Sequence, residues 1–170
     1  MAGWSFAGTM PDVSRAVIIV APHTSNWDFV IGAAGMLCLD LELRFLGKHT
    51  LFKGPLGSLM RALGGIPVDR TRPGGGVVEA MAARFGSEDR FLLALSPEGT
   101  RKSVRRWKTG FHRIARAAQV PIVAVALDYS RRQIRFGPVR DAHEDVAADL
   151  EVFQTFFADA RGKCVGEGVQ

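Results

Sequence analysis

Ala16-Val-Ile-Ile-Val-Ala-Pro-His-Thr-Ser-Asn-Trp-Asp28 runs from a β-branched stretch through a proline to a histidine and then a carboxylate. Residues 16–21 are apolar without a break. A strand reads this way when both of its faces are covered, as in a parallel sheet. Pro22 ends it. Residues 29–39 then read as a buried helix, rich in Ala, Gly and Leu, with Ser25 or Asn26 as its N-cap. Strand, short polar loop and helix make one βα unit.

The same alternation continues along the chain. Short apolar strands are expected at 43–46, 66–68, 91–95, 121–127 and 133–136. Helices are expected at 55–63, where Pro55 opens and Gly64-Gly65 closes, and at 77–85, 109–118 and 145–160. In the last of these, Val146, Leu150, Phe153 and Phe157 share one face. Arg72-Pro-Gly-Gly-Gly76 reads as a loop. The pattern predicts an α/β fold, a single layer of largely parallel sheet flanked by helices. Repeats and linkers are absent, so 1–170 reads as one domain, with a motif-bearing core at about 16–137. Residues 162–170 read as a flexible tail.

The formal charge is +5, from 22 Lys and Arg against 17 Asp and Glu. Such a balance suits an anionic partner, whether nucleic acid, a phosphorylated small molecule or an acidic membrane, and equally a solvated basic surface. The two cysteines, Cys38 and Cys164, lack metal-ligand spacing, and Cys38 reads as a small core residue; a reducing, cytoplasmic setting is expected. The N-terminus has no signal-peptide pattern. The run 29–39 is too short to cross a bilayer, which takes about 20 residues. Any contact with lipid is expected at the surface.

Three polar segments follow strands, and in sheets of this kind ligands gather at the carboxyl ends of strands. His23-Thr-Ser-Asn-Trp-Asp28 places a carboxylate where one helical turn folds it back onto the imidazole, to fix its tautomer and stabilise its charged form. Taken alone, His23 could equally end a strand and Asp28 cap a helix. Gly65-Ile-Pro-Val-Asp-Arg70 ends in a guanidinium able to grip a phosphate, or in a surface arginine. Ser96-Pro-Glu-Gly-Thr-Arg101 aims Glu98 and Arg101 at the same rim. A carboxylate there needs a partner, in a turn or in a substrate.

In order and wording these segments resemble the 1-acylglycerol-3-phosphate (lysophosphatidate) acyltransferase family. Its His and Asp separated by four residues are matched by His23 and Asp28. Its block ending in an arginine is matched by residues 65–70, its Pro-Glu-Gly-Thr-Arg by residues 97–101, and its proline-containing strand by residues 120–125; Lys108-Thr-Gly-Phe-His112 is similar to its linker. The resemblance implies that His23 is the general base and Asp28 orients it. The acyl donor would be acyl-CoA or acyl-ACP, as co-substrate, and the acceptor a lysophospholipid. Arg70, Glu98, Gly99, Thr100 and Arg101 would bind the acceptor and shape the site. Neither metal nor resident cofactor is implied.

The chain is short for that family and lacks its hydrophobic N-terminal segment. Membrane contact is therefore expected to be peripheral, on the inner face of the cell membrane, through side chains such as Trp4, Phe6, Leu51, Phe52 and Lys53. Core packing is the other reading of Leu51 and Phe52. Two other classes compete. A serine hydrolase would need a Gly-x-Ser-x-Gly elbow, and neither Ser25 nor Ser96 has that context. A nucleic-acid-binding module would use the basic stretch Arg101-Lys-Ser-Val-Arg-Arg-Trp-Lys108, but no recognition motif accompanies it and nucleic acid is not the expected partner.

Overall fold

The computed structural model describes residues 3–68, 76–99 and 106–164. In chain order the elements are β1 (Ser5–Ala7), β2 (Arg15–Ala21), α1 (Trp27–Cys38), β3 (Leu43–Lys48), a 3₁₀ turn (His49–Phe52), α2 (Gly54–Ala62) and β4 (Gly65–Val68). Then come α3 (Val77–Ser87), β5 (Phe91–Leu95), α4 (Gly110–Ala118), β6 (Ile122–Asp128), β7 (Gln133–Arg140) and α5 (Val146–Phe157). The seven strands form one sheet in the order β1-β7-β6-β2-β5-β3-β4. Every neighbouring pair is parallel except β6 with β7. The fold is the α/β layer that the alternation predicts.

The uninterrupted apolar run of β2 has its cause in its position. β2 lies between β5 and β6, and both of its faces are covered. Val17, Ile19 and Ala21 join a core with Phe85 of α3, Phe111 of α4 and Phe153 and Phe157 of α5. Ala16 and Ile18 face the other way, against Leu127, Ile134 and the Ile31 side chain of α1. Helices α3, α4 and α5 thus cover one face, and α1 covers the other. The 3₁₀ turn and α2 lie on the α1 face. Phe29 of α1 meets Phe45 edge-on at 5.1 Å, and Phe45 and Phe52 converge over Gly65.

Four expectations are revised. The helix at 29–39 was expected to be buried, but α1 touches the sheet along one stripe only and leaves Trp27, Val30 and Leu37 in solvent. Cys38 is on that outer side and exposed, not a core residue. Phe52 is buried, filling the space over Gly47 and Gly65, whereas Leu51 and Lys53 beside it are exposed. β7 runs four residues past Phe136. A register shift against Val123–Val125 takes up one extra residue around Gly137-Pro138, so the proline sits in a bulge instead of ending the strand. β1 had no signal in the sequence, and it is held by pairing with Gln133–Arg135 of β7.

Candidate functional site

The parallel register of β2 and β5 sets Ile19 opposite Leu95. The loops that follow these strands therefore leave the sheet side by side, and His23 meets Glu98. The backbone N–H of His23 donates to Glu98 Oε2 at 3.1 Å. Gly99, which follows, has φ +65°, a left-handed conformation that favours glycine. The Lys108 backbone N–H donates to the Pro97 carbonyl at 2.8 Å.

Asp28 lies in the first turn of α1 and turns back toward the loop. Its Oδ2 lies 3.2 Å from His23 Nδ1 and accepts the N–H groups of Thr24 and Ser25, each at 2.7 Å. Its Oδ1 accepts the Ser25 hydroxyl at 3.3 Å and the Tyr129 hydroxyl at 2.7 Å. Asn26 holds the N-cap position without a side-chain cap bond. Ser25 Oγ accepts the Trp27 N–H in its place. The carboxylate is buried while the imidazole keeps about a third of its side chain exposed. Nδ1 faces Asp28, so Nε2 is the nitrogen turned to an incoming group.

Burial alone would raise the Asp28 carboxyl. The contact with His23 and the donors from Ser25, Tyr129 and Thr24 outweigh burial, and the group stays below its ordinary value. Glu98 behaves in the opposite way. Burial pushes its carboxyl up to about 7, against the lowering effects of the His23 N–H and of a charge on His23. Among the described residues its buried Oε1 has no hydrogen-bond partner, which favours the proton-bearing form. One loop pair therefore carries a carboxylate kept ionised and a carboxyl that titrates near neutrality.

Sequence reasoning missed Tyr129. It follows β6, the other neighbour of β2, and strand alternation puts it on the α1 face with Leu127. Burial and the bond to Asp28 both hold its phenol protonated, hence a donor. Trp4 packs edge-on against its ring at 4.9 Å. The signal was its place, at the end of a strand adjacent to the one that carries His23. Also unforeseen is the packing of residues 161–164 on this loop. The Tyr129 N–H donates to the Arg161 carbonyl, Gly162 lies against Thr24, and Lys163 Nζ sits 4.2 Å from the Trp27 ring centroid. The expected tail is thus packed at least as far as Cys164, whose N–H reaches Thr24 Oγ1 at 3.4 Å.

The structure brings His23, Asp28, Glu98 and Gly99 together. Arg70, Thr100 and Arg101 lie outside the described residues, as do residues 72–75 of the expected glycine-rich loop. Of the basic stretch 101–108, Trp107 is core, 5.5 Å from the Phe157 ring, and not a surface platform for a base. Ser25 directs its hydroxyl to Asp28 and the Trp27 N–H, not to the imidazole. Among the described residues, no group of three His, Cys, Asp or Glu side chains could hold a metal. None of the described helices is long and apolar enough to cross a membrane.

Beneath α1 is a small, almost wholly apolar cleft of about 60 Å³. Ile18 and Val20 of β2, Leu43 of β3 and Val125 of β6 form its floor, and Gly32 and Met36 form part of its roof. A Cβ on Gly32 would meet nothing within 4 Å, whereas one on Gly35 would lie 2.6 Å from Ile134 Cδ1. The cleft runs beneath the helix that carries Asp28.

No curated protein matches the chain. The model of the family described as Acyltransferase matches residues 8–128, which take in β2, the His23–Asp28 loop, Glu98 and β6, and the chain belongs to this acyltransferase family, whose members pass an acyl group from a donor to a lipid acceptor.

Proposed function

We propose that the chain transfers a fatty acyl group from an acyl thioester, carried by coenzyme A or acyl carrier protein, to the hydroxyl of a lysophospholipid such as 1-acylglycerol 3-phosphate. The observation that carries this reading is the pair His23 and Asp28, a part-exposed imidazole 3.2 Å from a buried carboxylate that four further donors hold ionised. His23 Nε2 takes the proton of the acceptor hydroxyl. The oxygen attacks the thioester carbonyl, the C–S bond breaks, and the departing thiolate recovers the proton from the imidazolium. Asp28 fixes the ring through Nδ1 and stabilises its charge in the transition state. No step passes through a metal or a resident cofactor.

The remaining roles belong to the same reading. Glu98 braces the His23 backbone, and Glu98, Gly99, Thr100, Arg101 and Arg70 bind the acceptor and shape its pocket. The small apolar cleft under α1 offers the fatty chain an apolar lining, with room for only part of its length. The protein acts in phospholipid biosynthesis as a single domain, in the cytoplasm, peripherally at the inner face of the cell membrane, where its substrates are.

A thiol-release assay with palmitoyl-CoA and a panel of lysophospholipids, with products read by mass spectrometry, tests the proposal. His23→Ala should keep the fold and lower the rate about 10²–10⁴-fold. Wild-type turnover in the folded variant would remove His23 as the base.

A further inference from the structure

Helix α2 is inverted for a helix bathed in water. Its Gly57 is buried, with room for no side chain, since a Cβ there would lie 2.2 Å from the Phe52 carbonyl oxygen. Its leucines point outward, Leu56 at 52% and Leu59 at 53% exposure, and Leu51 in the preceding turn is alike at 48%. The Phe52 side chain takes the place against the sheet, over Gly47 and Gly65, that a leucine of α2 would fill, and the helix packs on the Phe52 backbone through Gly57.

These residues are part of a one-sided distribution. Eight large apolar side chains are exposed among the described residues; Trp27, Val30, Leu37, Leu51, Leu56 and Leu59 are on α1, the 3₁₀ turn and α2, and none is on α3, α4 or α5. Both helices lie on the same face of the sheet. Single exposed leucines are ordinary, but a one-sided collection marks a surface that meets something apolar.

The charges identify the occupant. Between Leu43 and Gly64 the sequence has Arg44, Lys48, Lys53 and Arg61 and no acidic residue. Lys48, Lys53 and Arg61 are exposed beside the leucines. A second copy of the chain, docked about a two-fold axis, would bring these cations against one another. An anionic lipid surface accepts leucines and cations together.

We propose that α1, the 3₁₀ turn and α2 form the face that docks on an anionic bilayer, with Leu51, Leu56 and Leu59 entering the acyl boundary and Lys48, Lys53 and Arg61 at the headgroups. Trp27 and Val30 extend this face to the rim of the His23 site, so a lipid acceptor passes from the bilayer to the base without crossing water. The last point rests on the acyltransferase reading, whereas docking does not require turnover.

The test is cosedimentation with vesicles of phosphatidylcholine alone and of phosphatidylcholine with about one fifth phosphatidylglycerol. Wild type should bind the anionic vesicles. Leu56→Ser/Leu59→Ser should bind them at least about tenfold more weakly and melt at the wild-type temperature. Lys53→Glu/Arg61→Glu should lose binding to the anionic vesicles selectively. Both variants should process a short-chain thioester and a water-soluble acceptor at the wild-type rate and slow only on vesicle-borne acceptor. Wild-type vesicle binding by the leucine variant would overturn the proposal. So would a lipid-free dimer that the same substitutions dissociate, because the face would then belong to a second copy. If wild type binds vesicles but turns over no thioester, docking stands and the acyltransferase reading falls.

Discussion

Replacing Glu98 with glutamine should make the protein more stable at alkaline pH and leave it unchanged in acid. Burial holds the folded carboxyl at about 7, against an ordinary value of 4.5, and its Oε1 has no partner among the described residues. Between those two values the folded protein keeps a proton that the unfolded chain has released. Protonation therefore favours folding, and stability falls as pH rises through this window, fully present below 4.5 and lost above about 7. At about 1.4 kcal/mol per pH unit, the gap comes to about 3 kcal/mol, an upper figure. Glutamine keeps the shape, can accept the His23 N–H through its carbonyl, and has no charge to desolvate. At pH 5 the two proteins should melt nearly together. At pH 8 the variant should melt higher, by up to about 6–12 °C at about 2–4 °C per kcal/mol for a chain of this size. Melting both proteins by calorimetry from pH 5 to 8 cancels every titration they share. Parallel curves would refute the assignment of a buried, neutral-range carboxyl to Glu98.

Asp28→Asn and Tyr129→Phe both probe how the imidazole is held. Each should lower kcat with little change in KM, Tyr129→Phe by about tenfold or more, since a hydrogen bond to a charged acceptor contributes about 1.5–3 kcal/mol; a raised KM alone would assign them to substrate binding. Gly32→Leu should shift acyl preference toward shorter chains, measured by competing thioesters of different length. It should not lower the melting point, because glycine inside a helix costs about 0.5–1 kcal/mol relative to alanine; an unchanged chain-length profile would place the fatty chain elsewhere. Arg70→Lys and Arg101→Lys should raise KM for lysophosphatidate roughly tenfold and leave a monoacylglycerol nearly unaffected, because lysine loses the two-pronged grip on phosphate. Equal losses on both acceptors would remove the phosphate assignment.

The sheet was legible because its central strands are buried on both sides and so are written as unbroken apolar runs, β2 above all. The loop from His23 to Asp28 was legible for a related reason, since partners five residues apart are constrained by one loop and one helical turn. Tyr129 reaches the same carboxylate from 101 residues away. That contact exists only once β6 has paired with β2, which no local pattern records. The exposure of α1 was misread because its apolar composition suits a buried helix, and only the sheet shows that one stripe is covered. The buried Asp149 is likewise met by residues distant in sequence, His112 of α4 and, from the end of β7 and the loop after it, Arg140 and His143. β1 was invisible because three residues on the edge of a sheet acquire their conformation from β7.

The packing of residues 161–164 on the His23–Asp28 loop has a consequence for the order of synthesis. The contact between Thr24 and Cys164 spans 140 residues. A ribosome that has already released β2, the His23–Asp28 loop, Glu98, β6 and β7 has delivered every strand of the sheet. It has not yet released the segment that lies against Thr24, Trp27 and Tyr129. The nascent chain thus passes through a stage with a complete sheet and an unfastened His23–Asp28 loop. Acquisition of the fold and closure of the site are separate events, and the second waits for nearly the last residues described.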